Sequence, residues 1–237
     1  MQYWLVMPAA GRAQRFGAAE PKQYARLLGR TVLEWSLAPF LADPRCEGIV
    51  VVLAAGDERF ATLGLAARVR AARGGAERSQ SVRAGLAALA PGPAPRDWVL
   101  VHDAARPCLS GDELRRLLEI GAAHPVGALL AVPLADALKR AEGAAGTRPE
   151  VLRTEPREGL WRALTPQLFR YGALCAALDA AHAAGRFPGD EAEAIEWTGQ
   201  HPALVEGALT NLKVTRAADL QLAAAVLAQQ GEVSACA

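Results

Sequence analysis

Runs of Val, Ile and Leu with no polar residue between them constrain this chain more than any other feature. In Ile49-Val50-Val51-Val52-Leu53 every side chain is apolar, so both faces of such a strand must be covered. Similar runs alternate with Ala-rich amphipathic segments through the first half of the chain, which is typical of β-α-β units around a parallel sheet. We predict strands at 2–7, 48–53, 67–71, 97–102 and 126–132.

Helix starts are marked by capping boxes, in which a hydroxyl and a carboxylate satisfy the first backbone N–H groups. Thr31-Val32-Leu33-Glu34 and Ser110-Gly111-Asp112-Glu113 have this pattern. Apolar spacing then predicts helices at 31–41, 79–89, 110–122, 166–184, 189–198 and 215–229. Because 51% of the 237 residues are apolar, the chain can bury one sizeable core. We predict a three-layer α/β fold with a mostly parallel Rossmann-like sheet, as a single domain over 1–237.

The segment at about 134–159 interrupts this alternation. It contains two extended pieces, separated by a polar stretch at 143–150 that has no core-forming period. We predict a hairpin arm that projects from the sheet and packs on a second subunit of a homodimer. A surface insertion without a partner is the alternative.

Charge and cysteine usage exclude several classes of protein. The chain has 26 Lys and Arg against 25 Asp and Glu, so no overall field attracts it to nucleic acid or to an anionic membrane. There is no CxxC pair, and no apolar run has the length of a membrane span. We therefore expect a cytoplasmic protein with reduced thiols and without nucleic-acid or membrane partners. The four separated cysteines are Cys46, Cys108, Cys175 and Cys236.

The loop after the first strand combines small residues with cations. Small side chains at Ala9, Ala10 and Gly11 let backbone N–H groups approach an anion, and Arg15 and Lys22 supply positive charge, as does Arg12. The loop is neither GxxxxGK[ST] nor GxGxxG, which argues against a Walker ATPase and a Rossmann dehydrogenase. We predict a binding loop for a triphosphate; a solvated turn is the alternative.

A second polar cluster follows the fourth predicted strand, in Val101-His102-Asp103-Ala104-Ala105-Arg106-Pro107. Ligands of doubly wound sheets lie at the carboxyl ends of strands, where Asp103 can reach a hydrated Mg²⁺ or a ribose hydroxyl. Arg106 can contact a phosphate. His102 alternates to the opposite face, so we predict a structural role for it.

Six motifs, taken together and in this order, resemble the 2-C-methyl-D-erythritol 4-phosphate cytidylyltransferase family of the non-mevalonate isoprenoid pathway. The resemblance extends from residue 4 to about residue 225. The motifs are Pro8-Ala9-Ala10-Gly11, Pro21-Lys22-Gln23-Tyr24, Gly74-Gly75 with Glu77-Arg78 and Ser81-Val82, the Val101–Pro107 segment, Leu164-Thr165-Pro166-Gln167 and Asn211-Leu212-Lys213-Val214-Thr215.

The resemblance implies a nucleotidyltransferase fold and a reaction in which methylerythritol phosphate attacks the α-phosphorus of CTP and releases pyrophosphate. It implies Mg²⁺ as cofactor, with Asp103 as a candidate ligand. Arg15 and Lys22 would stabilise the transition state, and Arg157 and Lys213 would position the acceptor. The cytosine and ribose would be enclosed by Ala9, Ala10, Gly11, Gly75 and Ser81. The acceptor side would consist of Asp103, Arg106, Thr165 and Lys213, with Arg157 from the neighbouring subunit's arm.

Three positions depart from the family pattern. Ala13 replaces a common glycine of the loop, Ala76 a common aspartate near the base, and Ala137 a threonine that helps to bind the acceptor's phosphate. The lost hydroxyl at Ala137 costs about 1 kcal/mol of acceptor binding. A cytidylyltransferase for ribitol 5-phosphate or another sugar-alcohol phosphate is therefore the alternative activity. A non-catalytic nucleotide-binding protein is a further alternative, but the expected cations are all present.

Overall fold

The described chain, in a computed structural model, comprises residues 1–11, 16, 21–65, 69–143 and 148–235. Its strands are β1 (Tyr3–Pro8), β2 (Arg26–Leu27), β3 (Arg30–Thr31), β4 (Cys46–Leu53), β5 (Val69–Arg73), β6 (Trp98–Val101), β7 (Gly127–Pro133), β8 (Leu138–Glu142), β9 (Glu150–Glu155), β10 (Trp161–Arg170) and β11 (Ala203–Glu206). Its helices are α1 (Val32–Ala42), α2 (Arg78–Leu89), α3 (Gly111–Ala123), α4 (Tyr171–Ala183), α5 (Glu191–Glu196) and α6 (Asp219–Ala235), with short 3₁₀ turns at Lys22–Tyr24 and Phe60–Leu63.

A mostly parallel sheet forms the centre of the described chain. Its strands lie in the order β11-β7-β10-β6-β1-β4-β5. β1 pairs in parallel with both β4 and β6, and β4 pairs in parallel with β5. The predicted strands are confirmed within a few residues; 67 and 68 lie outside the described residues. The α/β class with a mostly parallel sheet is thus confirmed.

Apolar residues on both faces of the strands explain the three layers. Leu5 and Met7 of β1 belong to a buried cluster with residues of α1 and α3. Val6, between them, belongs to a cluster on the opposite face with residues of α2, α4 and α5. Alternation along the strand sends successive side chains to opposite faces, so one strand contributes to both clusters. α6 packs against α1 in a third cluster that includes Val32 and Ala223.

The predicted helix over 166–184 is wrong at its start. Residues 166–170 belong to β10, which lies antiparallel between β6 and β7, and the helix begins at Tyr171. Leu168 and Phe169 are fully buried there. A short apolar run is compatible with either a buried strand or a helix. This segment forms a strand because it fills the position between β6 and β7 in the sheet.

The other predicted helices are confirmed with changed ends. Both capping boxes are present, at Thr31 with Glu34 and at Ser110 with Glu113. α5 is shorter than predicted, and the last helix begins later, at Asp219. None of the helices in the described part of the chain has the length and apolar character needed to cross a bilayer.

The segment predicted as an arm contains a separate hairpin. β8 and β9 pair antiparallel in a two-stranded sheet of their own. Most of its side chains are exposed, including Val151 at 65% and Leu152 at 48%. Exposed apolar residues on a projecting hairpin are typical of an interaction surface.

Candidate functional site

A cavity lies at the carboxyl ends of the central strands, as predicted for a doubly wound sheet. It is lined by the loops after β1, β5 and β6 and by the segment before α6. Its lining residues are Pro8, Ala9, Ala10, Gly11, Lys22, Gln23, Gly75, Ala76, Glu77, Arg78, Ser81, Asp103, Ala104, Ala105 and Lys213. The structure therefore brings together most of the residues that the sequence pointed to.

Backbone groups form one wall of this cavity, because two loops approach each other closely. A Cβ atom on Gly74 would lie 2.6 Å from the Cβ of Ala10 and 2.8 Å from the Ser81 Oγ, so only glycine fits there. Ser81 Oγ accepts a hydrogen bond from Gly75 N at 3.2 Å and donates to Glu77 O at 3.2 Å. The Ser81 hydroxyl thus holds the Gly75 turn against the start of α2.

Gln23, which belongs to one of the six motifs but has no predicted role, supports the first loop. Its Nε2 donates to Ala9 O at 2.8 Å, and the side chain is buried. Gln80 does the same for the second loop, where its Oε1 accepts from the backbone N–H groups of Ala76 and Glu77, each at 3.1 Å. These hydrogen bonds hold the backbone of both loops in one conformation, in which a ligand in the cavity can contact it.

Asp103 lies at the centre of a cluster of charged groups. Its Oδ1 is 3.3 Å from Arg78 Nη2, and its Oδ2 is 2.8 Å from Lys213 Nζ and 3.5 Å from Arg106 Nε. Burial acts to raise the pKa of Asp103, but Arg78, Lys213 and Arg106 together hold it well below its usual range. The cavity therefore contains a permanently ionised carboxylate surrounded by cations.

A hydrogen-bonded chain beneath the cavity orients Asp103. Thr165 lies where the register of β10 shifts between Ala163 and Gln167, and its Oγ1 accepts from Asp103 N at 3.0 Å. The same hydroxyl lies 3.0 Å from His102 Nδ1, and His102 Nε2 lies 3.1 Å from Arg106 O. A carbonyl accepts only, so Nε2 carries the proton and Nδ1 accepts from Thr165. The structural role predicted for His102 agrees with this geometry.

His102 should make the fold sensitive to acid. Burial lowers its pKa from 6.5 to about 4, so the unfolded chain binds a proton below pH 6.5 that the folded chain binds only near pH 4. The contribution of His102 to the free energy of unfolding is fully present above pH 6.5. As the pH falls below that value, the contribution decreases by up to about 3 kcal/mol.

We expect urea unfolding of His102→Gln to show a smaller loss of stability between about pH 7 and pH 4.5 than the unchanged chain. The exposed His201→Gln serves as the matched control and should keep the original slope. Equal slopes for the unchanged chain and His102→Gln would contradict the assignment.

Arg106 and Asn211 anchor the segment that carries Lys213. Arg106 Nη1 donates to Asn211 O at 2.7 Å, and Asn211 Nδ2 donates to Thr165 O at 3.0 Å. Lys22 Nζ donates to Val214 O at 2.9 Å, which brings the first and last motifs together. Arg106 and Thr165 are buried below the cavity wall, so their predicted contact with an acceptor stays a prediction.

Two further predicted residues, like Arg106 and Thr165, are not among the lining residues of the described cavity. Arg15 lies outside the described residues, as do Arg12 and Ala13. Arg157 is exposed in the turn after β9 and does not line the described cavity of its own chain. Its place in a neighbouring subunit's site stays a prediction.

Glu191 and Arg78 were missed as functional residues. Arg78 belonged to a quoted motif, but nothing local gives its role; Glu191 is 113 residues away and pairs with it at 2.6 Å. From the sequence alone, an acidic residue at the start of a short helix is interpreted as a helix cap. Only the tertiary structure shows that Glu191 pairs with Arg78.

Comparisons with known proteins find similar sequences along nearly the whole chain. The family profile described as 2-C-methyl-D-erythritol 4-phosphate cytidylyltransferase matches residues 3–229. A relative with that name from Halorhodospira halophila is 52% identical over 235 residues, covering 97% of this chain and 95% of its own. One from Ectopseudomonas mendocina is 51% identical over 222 residues, covering 92% and 93%.

Solved structures of similarly named proteins match the fold. The crystal structure of a 4-diphosphocytidyl-2C-methyl-D-erythritol synthase superposes with a TM-score of 0.82 at 37% identity, covering 95% of this chain and 98% of its own. The cytidylyltransferase structure from Thermus thermophilus has a TM-score of 0.77 at 34% identity, covering 95% and 98%.

Proposed function

This chain belongs to the 2-C-methyl-D-erythritol 4-phosphate cytidylyltransferase family, the nucleotidyltransferases of isoprenoid precursor biosynthesis, and from this we propose how its cavity performs the transfer. CTP is the donor and methylerythritol phosphate the acceptor. A phosphate oxygen of the acceptor forms a bond to the α-phosphorus, and the bond from that phosphorus to the bridging oxygen breaks. Pyrophosphate leaves with the electron pair.

The observation that carries this proposal is that Lys22 and Lys213 line the same cavity, and that loop backbone forms one wall of this cavity. Lys22 Nζ is hydrogen-bonded to the backbone of Val214, the residue after Lys213, and both lysines line the same cavity. In-line displacement at phosphorus builds negative charge on the non-bridging oxygens and the leaving group. Fixed cations stabilise that charge more in the transition state than in the substrates.

On the donor side, the close backbone wall suits a small pyrimidine. Ala9, Ala10 and Gly11 would enclose the base and ribose from one side, and Gly75 and Ser81 from the other. Arg15 and Lys22 would neutralise the triphosphate and stabilise the transition state. The acceptor phosphate is already anionic, so no general base is needed. His102 is buried under the cavity, and its Nε2 proton is held by Arg106 O, so it takes no part in proton transfer.

On the acceptor side, Lys213 and Asp103 would bind the methylerythritol phosphate, with support from Thr165 and Arg106. Lys213 is the more exposed partner of the pair, with 42% of its side chain accessible against 10% for Asp103. It can therefore rotate toward an incoming phosphate while Asp103 stays in place. Arg157 would reach this side from the neighbouring subunit and hold the same phosphate.

A magnesium ion fits this site through the substrate rather than through a protein cage. No group of three His, Cys, Asp or Glu side chains in the described part of the chain is arranged to hold a metal. Asp103, the predicted ligand, is paired with a cation on each oxygen, but a carboxylate oxygen has two lone pairs and can accept a second partner. Mg²⁺ is commonly held by one carboxylate and by substrate phosphates, so Asp103 would be its single protein ligand. When bound, the ion neutralises triphosphate charge.

We also propose a cytoplasmic location, which the thiols support. Cys108 and Cys175 carry thiols rather than disulfides, which supports a reducing compartment such as the cytoplasm.

The hairpin of β8 and β9 would form the contact of a homodimer. Its exposed Val151 and Leu152 supply apolar surface, and Arg157 lies two residues after the end of β9. If each site takes Arg157 from the partner, mixing two inactive variants restores some sites. We expect a refolded one-to-one mixture of Arg157→Ala and Lys22→Ala to regain about a quarter of the unmodified activity, since half the dimers are mixed and each mixed dimer has one intact site of two.

The mixed dimers are formed by refolding the two variants together, and activity is compared with that of each variant refolded alone. Sedimentation checks that all samples are dimers, and a variant lacking 138–156 should be a monomer with little activity. No recovery in mixed dimers would contradict a shared site.

The function itself is tested by pyrophosphate release with Mg²⁺. We expect release with CTP and methylerythritol 4-phosphate, and little with UTP, with ATP or with ribitol 5-phosphate as acceptor. Preference for ribitol 5-phosphate would favour the alternative acceptor, for which the departure at Ala137 would be the reason. No release with any pair would overturn the proposal.

A further inference from the structure

A buried carboxylate lies directly behind the cavity wall. Glu191 begins α5, and only 1% of its side chain is exposed. The cap of this helix is a different residue, Asp190, whose Oδ1 accepts from Glu193 N at 2.9 Å. Glu191 is therefore not needed for capping. A buried carboxylate destabilises a protein unless it is paired, so its partner indicates its role.

That partner is Arg78, the first residue of α2. Arg78 Nη1 is 2.6 Å from Glu191 Oε1, and Nη2 is 3.2 Å from Oε2, which is a two-pronged guanidinium–carboxylate pair. The same Nη2 lies 3.3 Å from Asp103 Oδ1. Arg78 thus joins a carboxylate outside the cavity to one inside it.

The pairing continues to the acceptor side. Asp103 Oδ2 lies 2.8 Å from Lys213 Nζ, so an unbroken series of charged contacts runs from Glu191 through Arg78 and Asp103 to Lys213. The last three line the cavity, and Glu191 does not. We infer that Glu191 is a positioning residue for acceptor binding, because it fixes the Arg78 guanidinium that orients Asp103 and, through it, Lys213. This inference rests on the proposed function.

A role confined to docking α5 is less consistent with the contacts. The helix has other anchors: Ala192 N donates to Gln167 Oε1 at 2.8 Å, and Gln167 Nε2 donates to Asp190 Oδ2 at 3.1 Å. Ile195 is also buried. These contacts hold α5 in place without Glu191. Burial raises the pKa of Glu191, and the positive charge of Arg78 offsets part of that rise. This is expected for a carboxylate whose ionisation depends on that partner.

The test compares Glu191→Gln with Glu196→Gln, a matched change at an exposed residue of the same helix. The amide keeps the size of the side chain but removes the charge that holds Arg78. We expect Glu191→Gln to raise KM for methylerythritol 4-phosphate about 5- to 30-fold, while KM for CTP changes less than about twofold. Glu196→Gln should match the unmodified enzyme. Thermal unfolding checks that each variant is folded.

A double-mutant cycle separates positioning from folding. Arg78→Lys keeps the charge but loses the two-pronged pair, and it is combined with Glu191→Gln. If Glu191 acts through Arg78, the double variant should lose no more kcat/KM for the acceptor than the worse single variant. If Glu191 acts independently of Arg78, the two losses multiply.

Two outcomes overturn the inference: an unchanged KM for the acceptor in folded Glu191→Gln, or independent losses in the cycle. If Glu191→Gln does not fold, the measurement moves to Glu191→Asp, whose shorter side chain removes the two-pronged pair while keeping the charge. The same rise in acceptor KM is then expected. An unmodified enzyme that lacks activity with this acceptor overturns the proposed function instead, so the two failures are distinguishable.

Discussion

Replacing Lys22 with methionine lowers kcat for cytidylyl transfer by about 10²- to 10³-fold, with a smaller effect on KM for either substrate. Lys22 lines the cavity from the 3₁₀ turn after the first loop, and its Nζ is directed by Val214 O at 2.9 Å. Its charge is needed most when negative charge grows on the phosphoryl oxygens and on pyrophosphate. Methionine keeps the length and apolar stem of the side chain and removes only that charge.

Single-turnover measurements with CTP and methylerythritol 4-phosphate separate the chemical step from product release. Arg26→Met, an exposed cation four residues further along, is the control and should keep full activity. A Lys22→Met variant with unchanged kcat and a raised KM for CTP would show that Lys22 binds the donor equally in ground and transition states. That result would remove Lys22 from the proposed mechanism of rate enhancement.

Asp103→Asn has the second large effect, on both activity and stability. The carboxylate is nearly buried and is the shared counter-ion of Arg78, Arg106 and Lys213. An amide of the same shape leaves these cations to repel one another, and breaking a buried pair typically costs about 3 kcal/mol or more. We expect kcat/KM for the acceptor to fall about 100-fold, because Lys213 loses its orientation.

Stability is measured by urea unfolding, with Asp112→Asn as the control. Asp112 is 77% exposed and pairs with Arg115, so its loss should change stability by less than about 0.5 kcal/mol. The lowered pKa of Asp103 adds a second readout: its contribution is present above its ordinary pKa of 3.8 and is lost as the pH falls below it. The stability difference between the two forms should therefore shrink in acid. A difference that grows in acid would contradict the assigned ion pairs.

Local patterns in the sequence were sufficient for much of the fold. The fully apolar run of β4 predicted a strand covered on both faces, and Val50 and Val51 do pack in clusters on opposite faces. The capping boxes at Thr31 and Ser110 predicted the starts of α1 and α3, because a cap depends on groups only three residues apart. Motif order also indicated which loops line the cavity.

The features that the sequence did not predict share a physical cause. β10 was assigned to a helix at its carboxyl end, since Leu168 and Phe169 suit either structure and the choice depends on a gap between β6 and β7. The contacts of the Thr165 hydroxyl with Asp103 N and His102 were likewise not predicted, because the partners lie more than sixty residues away. Neither the strand nor the contacts of the Thr165 hydroxyl are determined by residues close in sequence.

What the sequence determined by itself was the class of fold, the family and several of the residues that bring charge to the cavity, because these depend on local periodicity and on motifs in order. What only the tertiary structure decided was how those charges are paired. Glu191, Arg78, Asp103 and Lys213 lie on four separate segments, and folding places them in contact. The strength of a charge pair depends on distance and burial, and neither is defined until distant segments pack together.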